Sequence, residues 1–254
     1  MSAAANAATL TRELVELVER ARIVDLTHTI EPGIPVYPTH PQYFAMSWET
    51  HDPSSMNQLL IGEHVGTHLD SPSHFYPDAD DPRYRDVAAI PVDAVIGAAV
   101  KLDFLDVSPT TELAAADVQR WEEANRPLRR GEAAVFHFGW SARWATFDAG
   151  AAYLEAWPGI SRDAASYLAN VGVSAVATDC VGIDGSETAN LGAHFVLLEH
   201  GITIIENLRS LEVLPREFLL VTLPLKLAGG TGSPVRAVAL FVTDHDRPRG
   251  PRDE

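Results

Sequence analysis

A single cysteine, Cys180, rules out an internal disulfide, and with it the small cross-linked folds of secreted proteins. Basic residues are also scarce. There are 19 against 35 acidic ones, and the formal charge of -16 repels phosphate backbones and anionic lipid headgroups. Nucleic acid and membrane surfaces are therefore not expected as partners, and the charge itself serves solubility. No apolar run reaches the roughly 18 residues needed to span a bilayer. No basic-then-apolar leader opens the sequence, so the expected compartment is the cytoplasm. Linkers rich in Ser and Gly, internal repeats and low-complexity tracts are missing too, which leaves one folded unit as the expectation for 254 residues.

With 46% hydrophobic and 21% charged residues, the chain has enough apolar material for a large core. Leu14, Leu17 and Val18 recur at helical spacing among glutamates, marking residues 1–21 as an amphipathic N-terminal extension. The main domain is expected over 22–244 and a loose tail over 245–254. Strands are expected at 22–30, 43–48, 57–62, 94–104, 133–138, 173–178, 202–205, 218–223 and 235–242. Between the first two of these, Glu31 to Pro38 carries three prolines and a glycine, which impose a rigid loop. A polar turn, 51–55, joins the second and third. Helices are expected at 112–125, from Ser161 as N-cap to just before Gly172, and at 190–200. The pattern predicts an α/β fold, a single domain with a mixed β-sheet and packed helices.

The chemistry concentrates in His64-Val65-Gly66-Thr67-His68-Leu69-Asp70, followed by His74. Two imidazoles and a carboxylate form a set able to hold Zn, Mn or Fe. A lone His-x3-His is more often a pair of surface histidines, but Asp70 and His74 reverse that weighing. A straight strand would hold His64 and Asp70 about 20 Å apart at roughly 3.3 Å per residue. Sharing an ion therefore requires the backbone to curl, and Gly66 and Pro72 supply the means. Tyr37, Trp48, Phe75, Tyr76 and Trp140 flank this segment and are able to sandwich a flat ring. His28, His40, His51, His137, His200 and His245 carry no such pattern and are read as structural. No Gly-x-Ser-x-Gly elbow surrounds Ser71 or Ser73, and Cys180 has no signature of an activated thiolate.

Residues 64–75, His-Val-Gly-Thr-His-Leu-Asp-Ser-Pro-Ser-His-Phe, resemble the His-x-Gly-Thr-His-x-Asp-x-Pro-x-His pattern of the cyclase family, which includes kynurenine formamidases and isatin hydrolases. The likeness extends through Asp25-Leu26-Thr27-His28, Pro35-Val36-Tyr37-Pro38, Gly182-Ile183-Asp184, Glu206-Asn207-Leu208 and Gly232-Ser233-Pro234-Val235-Arg236. The resemblance implies a swivelling β/β/α-type fold and a homodimer. It also implies His64, His68 and Asp70 as metal ligands and His74 as proton donor or acceptor. His194 and Glu206 stand where the formamidase branch holds a second ion with the motif aspartate. The cofactor implied is Mn2+ or Zn2+, one or two per chain. Tyr37 and Phe75 are implied at the substrate.

The activity implied is hydrolysis of a C–N bond in a small aromatic or cyclic amide, an isatin-like lactam or an aryl formamide. Two other readings fit the same ligands: a natural-product cyclase or dehydratase, and a ligand-binding protein without catalysis. Incorporation of labelled oxygen from water separates hydrolysis from ring closure.

Overall fold

The structure, a computed structural model, describes residues 3–49 and 53–243. The expected tail over 245–254, with His245, and the expected turn residues His51 and Asp52 lie outside the described residues.

Four strands rich in Ala, Val and Ile form the centre: β5 (Ile96–Asp103), β7 (Ala133–His137), β9 (Ala175–Thr178) and β10 (Thr203–Glu206). They pair in parallel in the order β5-β7-β9-β10. Antiparallel strands extend both sides. β11 (Glu217–Val221), β13 (Val238–Phe241) and β1 (Arg22–Asp25) follow from β5, while β4 (His68–Asp70) and β12 (Gly232–Pro234) follow from β10. The result is a nine-stranded mixed sheet among the described residues. Two short strands, β6 (Glu112–Leu113) and β8 (Gly159–Ile160), pair separately in parallel.

Every residue of β7, β9 and β10 is buried, because strand alternation sends side chains into a core on each face. Ala134, Phe136, Val176 and Ile204 point into one cluster with Val118, Trp121, Leu168 and Leu197. Those four partners come from α2 (Ala115–Ala124), α4 (Arg162–Val171) and α5 (Gly192–Glu199). Ala133, Val135, Ala177 and Ile205 point into the other, with Leu208, Leu211, Phe218 and Ala237. Helix α4 starts where Ser161 Oγ accepts from Ala164 N and stops at Gly172, which is left-handed at φ 82°.

Several expected boundaries move. The strand expected over 22–30 ends at Asp25, because Leu26 turns its fully buried side chain into the core and its carbonyl accepts from Arg209 N. The helix expected from 112 begins at Ala115, since Glu112 and Leu113 pair with Gly159 and Ile160. The two early strands, β2 (Phe44–Trp48) and β3 (Met56–Leu60), pair only with each other and are exposed along their whole length. The N-terminal helix α1 (Ala3–Arg20) likewise leaves Leu14, Leu17 and Val18 exposed. A four-residue helix, α3 (Ala151–Leu154), completes the elements.

Candidate metal centre

Strand β4 sits between β10 and β12, and its period-two alternation puts His68 and Asp70 on one face. The antiparallel register sets Glu206 directly opposite His68. Cross-strand partners share a face, so two imidazole-bearing and carboxylate-bearing strands deliver their groups to one spot. Upstream of β4 the backbone curls at Gly66, φ 60°, where a Cβ would press on Ile30 Cγ1 at 3.3 Å. That curl brings His64 Nδ1 to 2.6 Å from Asp70 Oδ1, within hydrogen-bonding distance.

The chain after Asp70 makes a single tight turn, Pro72–His74. It lays the His74 ring on that of His64, centroids 3.9 Å apart. Phe75 stacks on His194 at 4.9 Å. His194 stands at the start of α5, whose first amides donate to Asp184: Ala193 N at 2.8 Å and His194 N at 3.1 Å. Asp184 thus caps the helix and also meets His194 Nδ1 at 2.5 Å.

All eight residues singled out from the sequence line one cavity of about 220 Å³: Tyr37, His64, His68, Asp70, His74, Phe75, His194 and Glu206. Three of the flanking aromatics do not. Trp48 lies on the exposed hairpin. Tyr76 is buried with its hydroxyl donating to Phe195 O, and Trp140 is buried with its indole donating to Tyr153 O.

Two groups of side chains bring ligand atoms within 4.8 Å of one another, His64/Asp70/His74 and His68/Asp70/Glu206. The triad read from the sequence is divided between them, with Asp70 common to both. His68 Nε2 lies 3.4 Å from Asp70 Oδ1 and 3.4 Å from Glu206 Oε2. His194 Nε2 lies 3.6 Å from Asp70 Oδ2 and 3.4 Å from Glu206 Oε1.

The donor set fits a divalent cation. Asp70 is 1% exposed, and its Oδ2 is buried without a hydrogen-bond partner. A buried carboxylate oxygen left unpaired is costly, and a cation removes that cost. The second nitrogens are also committed: His68 Nδ1 to Gly66 O at 2.9 Å and His194 Nδ1 to Asp184, which leaves Nε2 of each facing the carboxylates. Mixed imidazole and carboxylate donors suit zinc or manganese.

Electrostatics concentrates here too. Burial opposes charge on His68, but hydrogen bonding to Glu206 and the charges of Asp70 and Glu206 raise its pKa to about 9. His194 is raised well above its ordinary value against burial, first by Asp184 and then by Asp70 and Glu206. Asp70 is held well below the usual carboxylate range, again against burial, first by His64 and then by His194 and His68. Protons on these rings and a cation satisfy the same carboxylates, so the two compete. His74 differs. Burial pushes its pKa down to about 4, leaving a neutral imidazole at the cavity wall.

His40, read as structural in the sequence, and Asn207, assigned no role of its own there, also belong here. His40 lines the cavity with its ring 5.7 Å from that of His64, and burial lowers its pKa. Asn207, left-handed at φ 59°, donates to Gly66 O at 2.9 Å and accepts from Tyr153 Oη at 2.7 Å, bracing the curl. The segments holding Asp184 and Asn207 stand out in the sequence, but the partners of Asn207, Gly66 and Tyr153, lie 141 and 54 residues away and leave no local signature.

A cluster of imidazoles and carboxylates flooring an apolar-walled cavity on a mixed α/β sheet defines the class of metal-dependent hydrolase sites. The comparisons narrow the class. The cyclase family profile matches residues 24–185, more than half of the chain, and the chain belongs to that family. It is 31% identical over 230 residues to a kynurenine formamidase of Salinibacter ruber, covering 85% of this chain and 96% of that protein. A kynurenine formamidase of Erythrobacter litoralis is 29% identical over 226 residues, 88% of this chain and 95% of that one. The crystal structure of an isatin hydrolase bound to the product analogue thioisatinate superposes with a TM-score of 0.83 at 26% identity, covering 96% of this chain and 100% of that one.

Proposed function

We propose that the chain hydrolyses a C–N bond of a small aryl formamide or an isatin-like lactam with the help of Mn2+ or Zn2+. The observation that carries this reading is the convergence of His64, His68, His194, Asp70 and Glu206, with the buried Asp70 Oδ2, which has no hydrogen-bond partner, among them. The formamidase and isatin hydrolase relatives support the substrate class.

His64, His68 and Asp70 would hold the ion, and His194 and Glu206 with the shared Asp70 would hold a second. Such an ion polarises an amide carbonyl and acidifies water near neutrality. Everything else falls to the protein. Phe75 and Tyr37 present ring faces and edges to a flat substrate. His74, neutral and stacked on His64, takes up a proton and returns it to the leaving nitrogen. Val181, Gly182 and Leu191 wall the cavity against bulk water.

The main domain is proposed as residues 22–244, with the helical extension before it, and the cytoplasm as its compartment. No helix of the described residues is long and apolar enough to cross a membrane. The homodimer is supported by the uncovered apolar residues of the hairpin, among them Phe44, Met46, Leu59 and Leu60, since a two-stranded hairpin is marginal alone in water. Turnover in ¹⁸O-labelled water tests the reaction type. Label in the product carboxyl group supports hydrolysis, and its absence from every product supports ring closure instead.

A further inference from the structure

We infer that Glu63 and Thr231 are positioning residues that dictate which nitrogen of His64 is offered to the cation. Glu63 Oε2 accepts from Thr231 N at 2.9 Å and from Thr231 Oγ1 at 2.7 Å. An ionised carboxylate only accepts, and a threonine hydroxyl has a single hydrogen, so that hydrogen is spent on Glu63. Thr231 Oγ1 is then an acceptor toward its other neighbour, His64 Nε2 at 2.8 Å. Nε2 must therefore donate to Thr231. The other nitrogen, Nδ1, lies 2.6 Å from Asp70 Oδ1 and hydrogen-bonds that carboxylate, so it is the nitrogen a cation held by Asp70 would take, in exchange for the proton between them.

This arrangement inverts that of the other two imidazoles. His68 and His194 spend Nδ1 on Gly66 O and Asp184 and present Nε2. His64 spends Nε2 and presents Nδ1. The backbone just after Thr231 is pressed against the ring to do this: a Cβ at the next residue, Gly232, the first of β12, would fall 2.5 Å from His64 Cε1. An acceptor 167 residues away in sequence therefore sets the tautomer of the first histidine in the motif. Partners of this kind are worth about 10- to 100-fold in metal affinity where they have been removed from other sites.

The inference rests on the proposed role of His64 as a ligand, and the test separates the two. Zn2+ affinity is measured by chelator competition on the full chain, and the tautomer of His64 by ¹H–¹⁵N spectra of the Zn2+-loaded, ¹⁵N-histidine protein. Thr231→Val keeps the backbone amide that Glu63 holds but loses the acceptor. It is expected to weaken Zn2+ binding by about 10- to 100-fold, with Thr231→Ser restoring it. Glu63→Ala, at a half-buried position, frees the hydroxyl to donate, and a proton on His64 Nδ1 is expected to appear. Affinity in Thr231→Val equal to the unsubstituted protein, or His64 protonated on Nδ1 in the unsubstituted protein, overturns the inference and leaves the metal reading standing. An unsubstituted protein that binds no Zn2+ overturns both.

Discussion

Asp70 Oδ2 and His194 Nε2 face each other at 3.6 Å, the one buried oxygen of the cluster without a hydrogen-bond partner opposite an imidazole held from behind by Asp184. Because its other oxygen meets His64 at 2.6 Å, Asp70 is the group both halves of the site share.

Asp70→Asn is therefore expected to remove more metal than His64→Ala, His68→Ala, His194→Ala or Glu206→Ala. Elemental analysis of the purified variants reads this directly. With two ions per chain, His194→Ala and Glu206→Ala lower the count toward one. Metal content in Asp70→Asn equal to the unsubstituted protein contradicts the shared role.

Replacing His74 by Asn should leave metal content unchanged and lower kcat by about 10²- to 10⁴-fold, the usual contribution of a positioned acid–base group. The ring stands within reach of the His64/Asp70 group, so the alternative outcome is specific: metal lost in parallel with rate makes it a ligand.

Asp184→Ala removes both the acceptor for the first amides of α5 and the partner of His194 Nδ1. Loss of an N-cap costs about 1 kcal/mol, which for a domain of this size lowers Tm by roughly 2–4 °C. Calorimetry checks this, and an unchanged Tm would show that the amides of α5 find another acceptor.

His28 carries a pH prediction outside the metal cluster. Burial, then the nearby charge of Arg209, lowers its pKa to about 3, and it stacks on Trp144 with Nε2 unpartnered. From the ordinary value of 6.5 down to about 3 the unfolded chain binds the proton and the folded chain does not. Stability from this group is thus present above pH 6.5 and lost as pH falls. At about 1.36 kcal/mol per pH unit, the loss at pH 5 is on the order of 2 kcal/mol. His28→Phe should flatten that part of the urea-midpoint profile, and an unchanged slope assigns the acid sensitivity elsewhere.

The sequence made legible what repeats locally or sits in one short segment. The alternation of β7, β9 and β10, the Ser161 and Gly172 ends of α4, and the clustered His64, His68, Asp70 and His74 all depend on neighbours a few residues apart. Less legible was whatever a distant contact decides. His40 reads as one histidine among several until the 35–40 loop folds over His64. Trp48, Tyr76 and Trp140 read as ring-binding aromatics by proximity in sequence, yet one lies on a separate hairpin and two spend their polar atoms on backbone carbonyls. Glu63 adjoins the motif, but its purpose depends on Thr231, which no local pattern connects to it.

Chelation followed by re-addition of metal tests metal-dependent hydrolysis at this cluster. Protein stripped of metal is assayed on N-formylkynurenine and isatin, then again after Mn2+ or Zn2+ is restored. Turnover of at least one substrate is expected to disappear on stripping, to return with one of the ions, and not to return in Asp70→Asn. Turnover that persists undiminished in protein shown by elemental analysis to hold no metal would contradict metal-dependent hydrolysis.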